Sequence, residues 1–119
     1  MKNLLYIFIG GGTGSLVRYF LGKFVESNFS STLPIGTLVI NIAASFILGS
    51  FVGSNYKIDE SWRALIAIGF CGGFSTFSTF SNDTLQLMIL GRTTEAFVNI
   101  FLNVIICLLA TYVGILIVK

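Results

Sequence analysis

The sequence predicts an all-α membrane protein with four transmembrane helices per chain, the third broken near its middle. Three observations predict it. Of 119 residues, 55% are hydrophobic and only 10% charged, giving a mean hydropathy of +0.91; a soluble domain this small usually carries about 25% charge to cover its surface. The few charges fall in clusters, and the stretches between them match the roughly 20 apolar residues a helix needs to cross a bilayer. The third of those stretches holds Gly72-Gly73 and a run of hydroxyls in its interior. The same composition excludes other classes. A net charge of +2 makes no basic patch for nucleic acid. The chain has no His, so the commonest general base and metal ligand is missing. Cys71 and Cys107 give no CxxC and no zinc spacing. One integral membrane domain, 1–119, is expected, and not an enzyme.

The first span covers about residues 4–21, with Lys2 before it and Lys23 and Glu26 after. Its glycines and Arg18 suit a membrane span better than a cleaved signal peptide. Arg18 reads as snorkelling to the interface, or as lining a vestibule that attracts anions. A polar connector, 27–32, leads to Pro34, which suits the first turn of a second helix at about 34–53. Thr37, Asn41, Ser45, Gly49 and Gly53 recur every four residues there and share one face. Small residues on such a face permit close helix approach. An amide placed mid-span faces a partner or a wet path instead, and the Asn41 NH₂ offers the two donors that a dehydrating anion requires.

The connector 54–61 carries much of the charge, flanked by Tyr56 and Trp62 as headgroup-level rings. The third region, about 62–90, is expected to break near 72–76 at the paired glycines. Carbonyls freed by a break must be met by protein, water or an ion, and they suit a hard cation. A close helix crossing through Gly69 and Gly73 is the alternative use of these glycines. Phe74, Phe77 and Phe80 follow at a spacing of three, interleaved with Ser75, Ser78, Ser81, Thr76 and Thr79. Such a stripe serves packing, or it turns positive ring edges and hydroxyl donors toward an anion. Asp83 falls at a vestibule or interface. A turn over 91–94, with Thr93 or Thr94 as cap, opens the last helix at about 95–118, where Asn99, Asn103, Cys107 and Thr111 repeat the four-residue spacing. Both cysteines read as small hydrophobes.

Four spans put Lys2, Lys57, Arg63 and Lys119 on one side of the membrane and Lys23, Arg92 and Arg18 on the other. Orientation follows the Lys/Arg excess. Four against three is barely a bias, so the charges leave open both a single orientation and insertion in both senses as an antiparallel dimer.

Three segments together resemble the CrcB/Fluc fluoride channels: Gly10-Gly11-Gly12-Thr13-Gly14-Ser15-Leu16-Val17-Arg18-Tyr19, then Gly36-Thr37-Leu38-Val39-Ile40-Asn41, then Gly69-Phe70-Cys71-Gly72-Gly73-Phe74-Ser75-Thr76-Phe77-Ser78-Thr79-Phe80. Their order and spacing cover essentially the whole chain, and the third motif is the specific one. The resemblance implies a passive fluoride-selective channel of the bacterial inner membrane, exporting fluoride as an antiparallel dual-topology homodimer with two pores. It implies a central structural Na+ on the backbone carbonyls of Gly72 and Ser75, pore rings at Phe77 and Phe80, pore polar groups at Asn41, Ser78 and Thr79, and Arg18 at the aqueous end. The polar track of the fourth helix falls at Asn103, Cys107 and Thr111, where Asn103 and Cys107 depart from the hydroxyl-bearing family pattern. Phe74 is left as packing. The partners implied are fluoride, a second copy of the chain and the lipid bilayer, with no nucleic acid. Two other classes fit the size. A small multidrug-type transporter needs an embedded acid in its first span, and residues 4–21 contain none. In a non-transporting assembly subunit, Asn41 and the third-span glycines would serve packing alone.

Overall fold

The computed structural model describes residues 2–29, 33–54 and 59–118, and every regular element among them is helical. Four runs are long and apolar enough to cross a membrane: Lys2–Asn28, Ile35–Gly53, Glu60–Ile89 and Thr93–Val118. The first, second and fourth are single helices, α1 (Lys2–Asn28), α2 (Ile35–Gly53) and α6 (Thr93–Val118). The third run is composite. A short α3 (Glu60–Trp62) leads into a π-wound stretch, Arg63–Phe70, and then α4 (Cys71–Phe74) and α5 (Phe77–Ile89). Between the last two, Ser75 (φ −80°, ψ 159°) and Thr76 (φ −151°, ψ 121°) have extended backbones.

Burial runs opposite to that of a soluble bundle. Phe8, Phe20, Leu108 and Ile117 are exposed, whereas Asn99, Asn103 and Thr84 are buried. A small apolar core of Ile40, Ala44 and Phe74 is flanked by Leu21, Ala43 and Phe70. Phe74 stacks on Phe70 with ring centroids 5.3 Å apart, so its role is packing. The spacing of three had placed it on one face with Phe77 and Phe80. The extended pair interrupts that helix, and Phe74 stands on the other side of it.

With little water to expel, helices in lipid associate through close backbone approach, and the glycines here provide it. A Cβ on Gly73 would lie 2.9 Å from Gly11 Cα, so α1 and the third run meet backbone to backbone. The α2–α6 contact, the most extensive in the bundle, is built the same way. A Cβ on Gly49 would lie 2.9 Å from Thr111 Cα, and one on Gly114 would lie 2.8 Å from Ser50 N. The four-residue stripe on α2 therefore divides. Its small end, Gly49 and Gly53, packs against α6, and its polar end faces cavities.

Three boundaries differ from the sequence reading. Helix α1 continues through Ser27 and Asn28, because both side chains donate to the Phe24 carbonyl, at 2.9 and 2.8 Å, and Phe29 N–H still reaches Val25 O. Pro34 stands just outside α2 at the cap position, its carbonyl accepting from Leu38 N. Helix α6 already begins at Thr93, so the cap is Arg92, whose carbonyl accepts from Ala96 N at 3.0 Å. The turn before it is fixed by Gly91 at φ 80°. Arg92 N bonds Leu87 O and Gly91 N bonds Met88 O, the paired bonds of a left-handed glycine stop. Residues 30–32, Tyr56, Lys57 and Lys119 lie outside the described residues.

Gly114→Ala should lower stability in detergent by about 1–3 kcal/mol, since the new methyl meets backbone that cannot yield locally. Gly22→Ala, whose methyl meets only Ile40 Cδ1 at 3.6 Å, should leave the midpoint unchanged or raised. Thermal unfolding of the two purified variants beside wild type checks both.

Candidate functional site

The site is organised by the extended pair at Ser75-Thr76. In a helix, a residue's N–H and C=O point opposite ways along the axis; in extended backbone they point to the same side, as in an antiparallel ladder. Thr76 therefore presents both groups to α2, and Asn41 meets both. Thr76 N–H donates to Asn41 Oδ1 at 3.1 Å, and Asn41 Nδ2 donates to Thr76 O at 3.3 Å. A side-chain amide thus takes the place of a neighbouring strand. The Thr76 hydroxyl accepts from Thr79 N at 3.2 Å and so caps α5. It also donates to Thr79 Oγ1 at 3.1 Å. Helix α5 consequently begins in the middle of the third run, with the partial positive charge of its N-terminus there.

Side chains reach two carbonyls beside the break: Cys71 O, which also accepts from Ser75 N at 3.0 Å, and Gly73 O. The Ser75 hydroxyl donates to Cys71 O at 2.7 Å. Arg18 Nε donates to Gly73 O at 3.2 Å. Arg18 is half-buried, so snorkelling outward does not describe it.

Four cavities follow one another around this point. The outermost, about 480 Å³, is lined by Glu26, Pro34, Asp83 and Gln86 among others; Asp83 accepts from the Thr37 hydroxyl at 2.9 Å. It shares Glu26 and Gly36 with a second of about 210 Å³, where Arg18, Lys23, Thr37, Thr76 and Thr79 meet. Thr76 is the wall between this cavity and a third of about 250 Å³, lined by Asn41, Ser45, Ser75, Phe77, Phe80, Asn103 and Cys107. The Phe77 and Phe80 rings lie 5.5 Å apart. Ser45 and Ser75 also line a fourth, of about 180 Å³, with Gly72 and Cys71.

The structure thus brings Asn41, Phe77, Phe80 and Asn103 together, with Thr79 and Arg18 in the adjoining cavity. Two predicted positions lie apart. Ser78 is exposed, its hydroxyl 3.4 Å from Thr76 Oγ1, and it lines neither central cavity. The Thr111 hydroxyl turns back to Cys107 O at 2.9 Å, and its backbone packs on Gly49. Asn103 stands at the cavity but turns its NH₂ away, to Asn99 O and Oδ1 at 2.9 and 3.0 Å. Its carbonyl oxygen accepts from Asn41 Nδ2 at 3.1 Å.

Gly72 is exposed, with open space where a Cβ would stand. Among the described residues no group of three or more His, Cys, Asp or Glu is placed to hold a metal. The donors available at the fourth cavity are carbonyl and hydroxyl oxygens, which suit a hard cation such as Na+. Gly72 and Ser75 of one chain offer two carbonyls, fewer than the six or so oxygens that hard cations gather. The residues fit such an ion only if a second copy raises the carbonyls to four and hydroxyl or water oxygens supply the rest.

Thr76, Ser45, Asn99 and Thr84 were not among the residues predicted for the site. Ser45 and Asn99 stood on four-residue stripes, and Thr76 stood inside the hydroxyl run. Thr84 had no signal beyond its type.

Fold and site together define a multi-pass membrane protein with polar side chains lining cavities between its helices. A family model described as CrcB-like protein, Camphor Resistance (CrcB), matches residues 5–115, and the chain belongs to that family. Relatives named Fluoride-specific ion channel FluC include those of Shewanella amazonensis and Shewanella loihica. Each is 40% identical over 116 residues, covering 96% of this chain and 94% of the relative. The relative from Shewanella frigidimarina is 41% identical over the same coverage.

Asn41→Leu removes both partners of the Thr76 backbone. A buried N–H left unpaired costs about 1–3 kcal/mol, so the variant should unfold at lower temperature. The Thr76 amide should also exchange its hydrogen faster than in wild type, while helix interiors of α2 and α6 keep their protection. Hydrogen exchange followed by NMR in micelles reads this residue by residue.

Proposed function

We propose that this chain is a passive, fluoride-selective channel of the bacterial inner membrane that lets fluoride out of the cytoplasm. It works as an antiparallel, dual-topology homodimer with two pores. The observation that carries the reading is the cavity where the Asn41 amide and the Phe77 and Phe80 rings meet beside the N-terminus of α5. Names of relatives 40% identical over nearly the full chain point the same way.

Fluoride is small and strongly hydrated, so a selective path must replace its water with donors and still release it. Arg18 and Lys23 at the second cavity raise the local anion concentration. The Thr79 hydroxyl, the Asn41 NH₂ and the positive edges of the two rings then offer weak contacts in series. The partial positive charge where α5 begins favours an anion at the same level. The broken third span is what brings that helix end to mid-membrane. No covalent or acid–base step is required. The carbonyls of Gly72 and Ser75 from both copies would hold the central Na+, which would supply a fixed positive charge between the subunits.

Purified protein in liposomes should release fluoride down its gradient without a proton gradient and scarcely pass chloride; absence of fluoride release from well-folded protein would sink the proposal. Phe80→Ile should cut that flux severely, by about tenfold or more if a ring contact worth ~1.4 kcal/mol is lost at the barrier, while the dimer stays assembled on a sizing column. For topology, Thr93→Cys in a chain carrying Cys71→Ala and Cys107→Ala should react with an impermeant thiol reagent from both faces of the membrane. Labelling from one face only would contradict dual insertion.

A further inference from the structure

We infer that Arg18 is a positioning residue for the ion pathway: its guanidinium covers the carbonyl end of the first half of the broken span, so that an anion at the break meets the positive end of α5 with little opposition. This role rests on the channel reading above and adds to the attraction of anions given there.

A break in a helix makes two ends at one level. The third run is helical from Glu60 to Phe74 and again from Phe77 to Ile89, with Ser75 and Thr76 extended between them. The first half therefore ends in carbonyls and the second begins in N–H groups, and the two ends carry partial charges of opposite sign. So close together, they cancel in large part for an ion beside them. The start of α5 can serve an anion only if the carbonyl end is offset.

The bonds at the break show what offsets it. In an unbroken helix the Gly72 and Gly73 carbonyls would accept from the N–H groups of Thr76 and Phe77, four residues on. Here the Thr76 N–H is turned to Asn41 Oδ1, and Arg18 Nε takes up the Gly73 carbonyl at 3.2 Å. A cation is the charge that a helix C-terminus favours. Helix α1 is placed to supply it. A Cβ on Gly14 would lie 2.9 Å from Phe74 N, so α1 lies against the last turn of the first half, and Arg18 stands one turn beyond Gly14. The same guanidinium lines a cavity with Thr76 and Thr79, the two residues whose bond caps α5.

Lys23 and Glu26 are the other charged groups of that cavity. Both are exposed and act across water, where salt screens them. Arg18 is half-buried and bonded to the backbone, so screening reaches it much less. Ionic strength therefore separates attraction at the mouth from masking at the break.

The test measures fluoride efflux from liposomes for Arg18→Gln, Arg18→Lys and Lys23→Gln at ionic strengths of about 0.02 M and about 0.5 M, beside the NMR shift of the Gly73 carbonyl carbon in micelles. Arg18→Gln should move that shift and lower efflux about tenfold at both ionic strengths, the effect of one charge at a partly buried helix end. Arg18→Lys, which keeps the charge, should stay within about threefold of wild type. The loss in Lys23→Gln should fade at high salt. If Arg18→Gln fails to fold, Arg18→Met takes its place under the same criteria. Unchanged efflux in the uncharged variant overturns the proposal, as does an equal loss in Arg18→Lys. Losses in Arg18→Gln and Lys23→Gln that depend equally on salt overturn it too, and so does a Gly73 shift that stays put. Wild-type protein that passes no fluoride overturns the channel reading instead, and the two failures are told apart because the Gly73 carbonyl reports the Arg18 bond without any flux.

Discussion

The two-point contact between the Asn41 amide and the Thr76 backbone is the constraint on which the rest of the site depends. In lipid a helix is the default because it satisfies its own backbone. An extended pair in the middle of a span gives up that satisfaction and must be repaid locally. Asn41 does this with the same oxygen-and-nitrogen geometry that a neighbouring strand would offer. Once Thr76 is held, its hydroxyl caps α5, and the start of α5 fixes where Phe77 and Phe80 stand. A substitution at Asn41 therefore acts on the backbone first and on any ligand second.

That arrangement is affordable only because the helices come unusually close. Asn41 on α2 can reach Thr76 on one side and Asn103 on the other because Gly49, Gly53 and Gly114 let α2 and α6 touch along their backbones. Gly73 does the same for the third run against α1. Small residues and polar residues on one stripe are thus parts of a single device. The glycines set the separation at which the amides can bond, and the bonded amides then prefer that separation. Each buried polar group in the series has a partner, without which it would cost several kcal/mol in an apolar surround.

How much of this was legible in the sequence follows from which residues act locally. The four spans were legible, since hydropathy and length are properties of each segment alone. Asn41, Phe77 and Phe80 were legible as chemistry, and they do meet at one cavity. The two fates of the α2 stripe were not, because Gly49 and Asn41 share a face and differ only in what α6 and the third run present to them. Local sequence could not choose between the two readings of Arg18 for a similar reason: snorkelling is the expectation for an isolated helix, and the carbonyl that Arg18 reaches is 55 residues away. Spacing alone made Phe74 a third member of the Phe series; the resemblance already left it as packing, and the extended pair separates it from the other two. Asn99 and Thr84 required the register of α5 against α6, which no local pattern encodes.

The same chain of amides bears on how the proposed channel would bind and still let go. In this structure both Asn41 donors are already used, one by Thr76 O and the other by Asn103 Oδ1. An anion arriving at Asn41 would therefore exchange one acceptor for another rather than fill an empty position, and the net gain at that step would be the difference between two hydrogen bonds. Charge-assisted bonds are roughly twice as strong as neutral ones, so the exchange favours the anion while returning part of the energy when Asn103 swings back. Strong donors with a competing internal acceptor would give attraction without a deep trap. Conduction needs that balance, and a hydroxyl at the position of Asn103, able to donate as well as accept, would strike it differently.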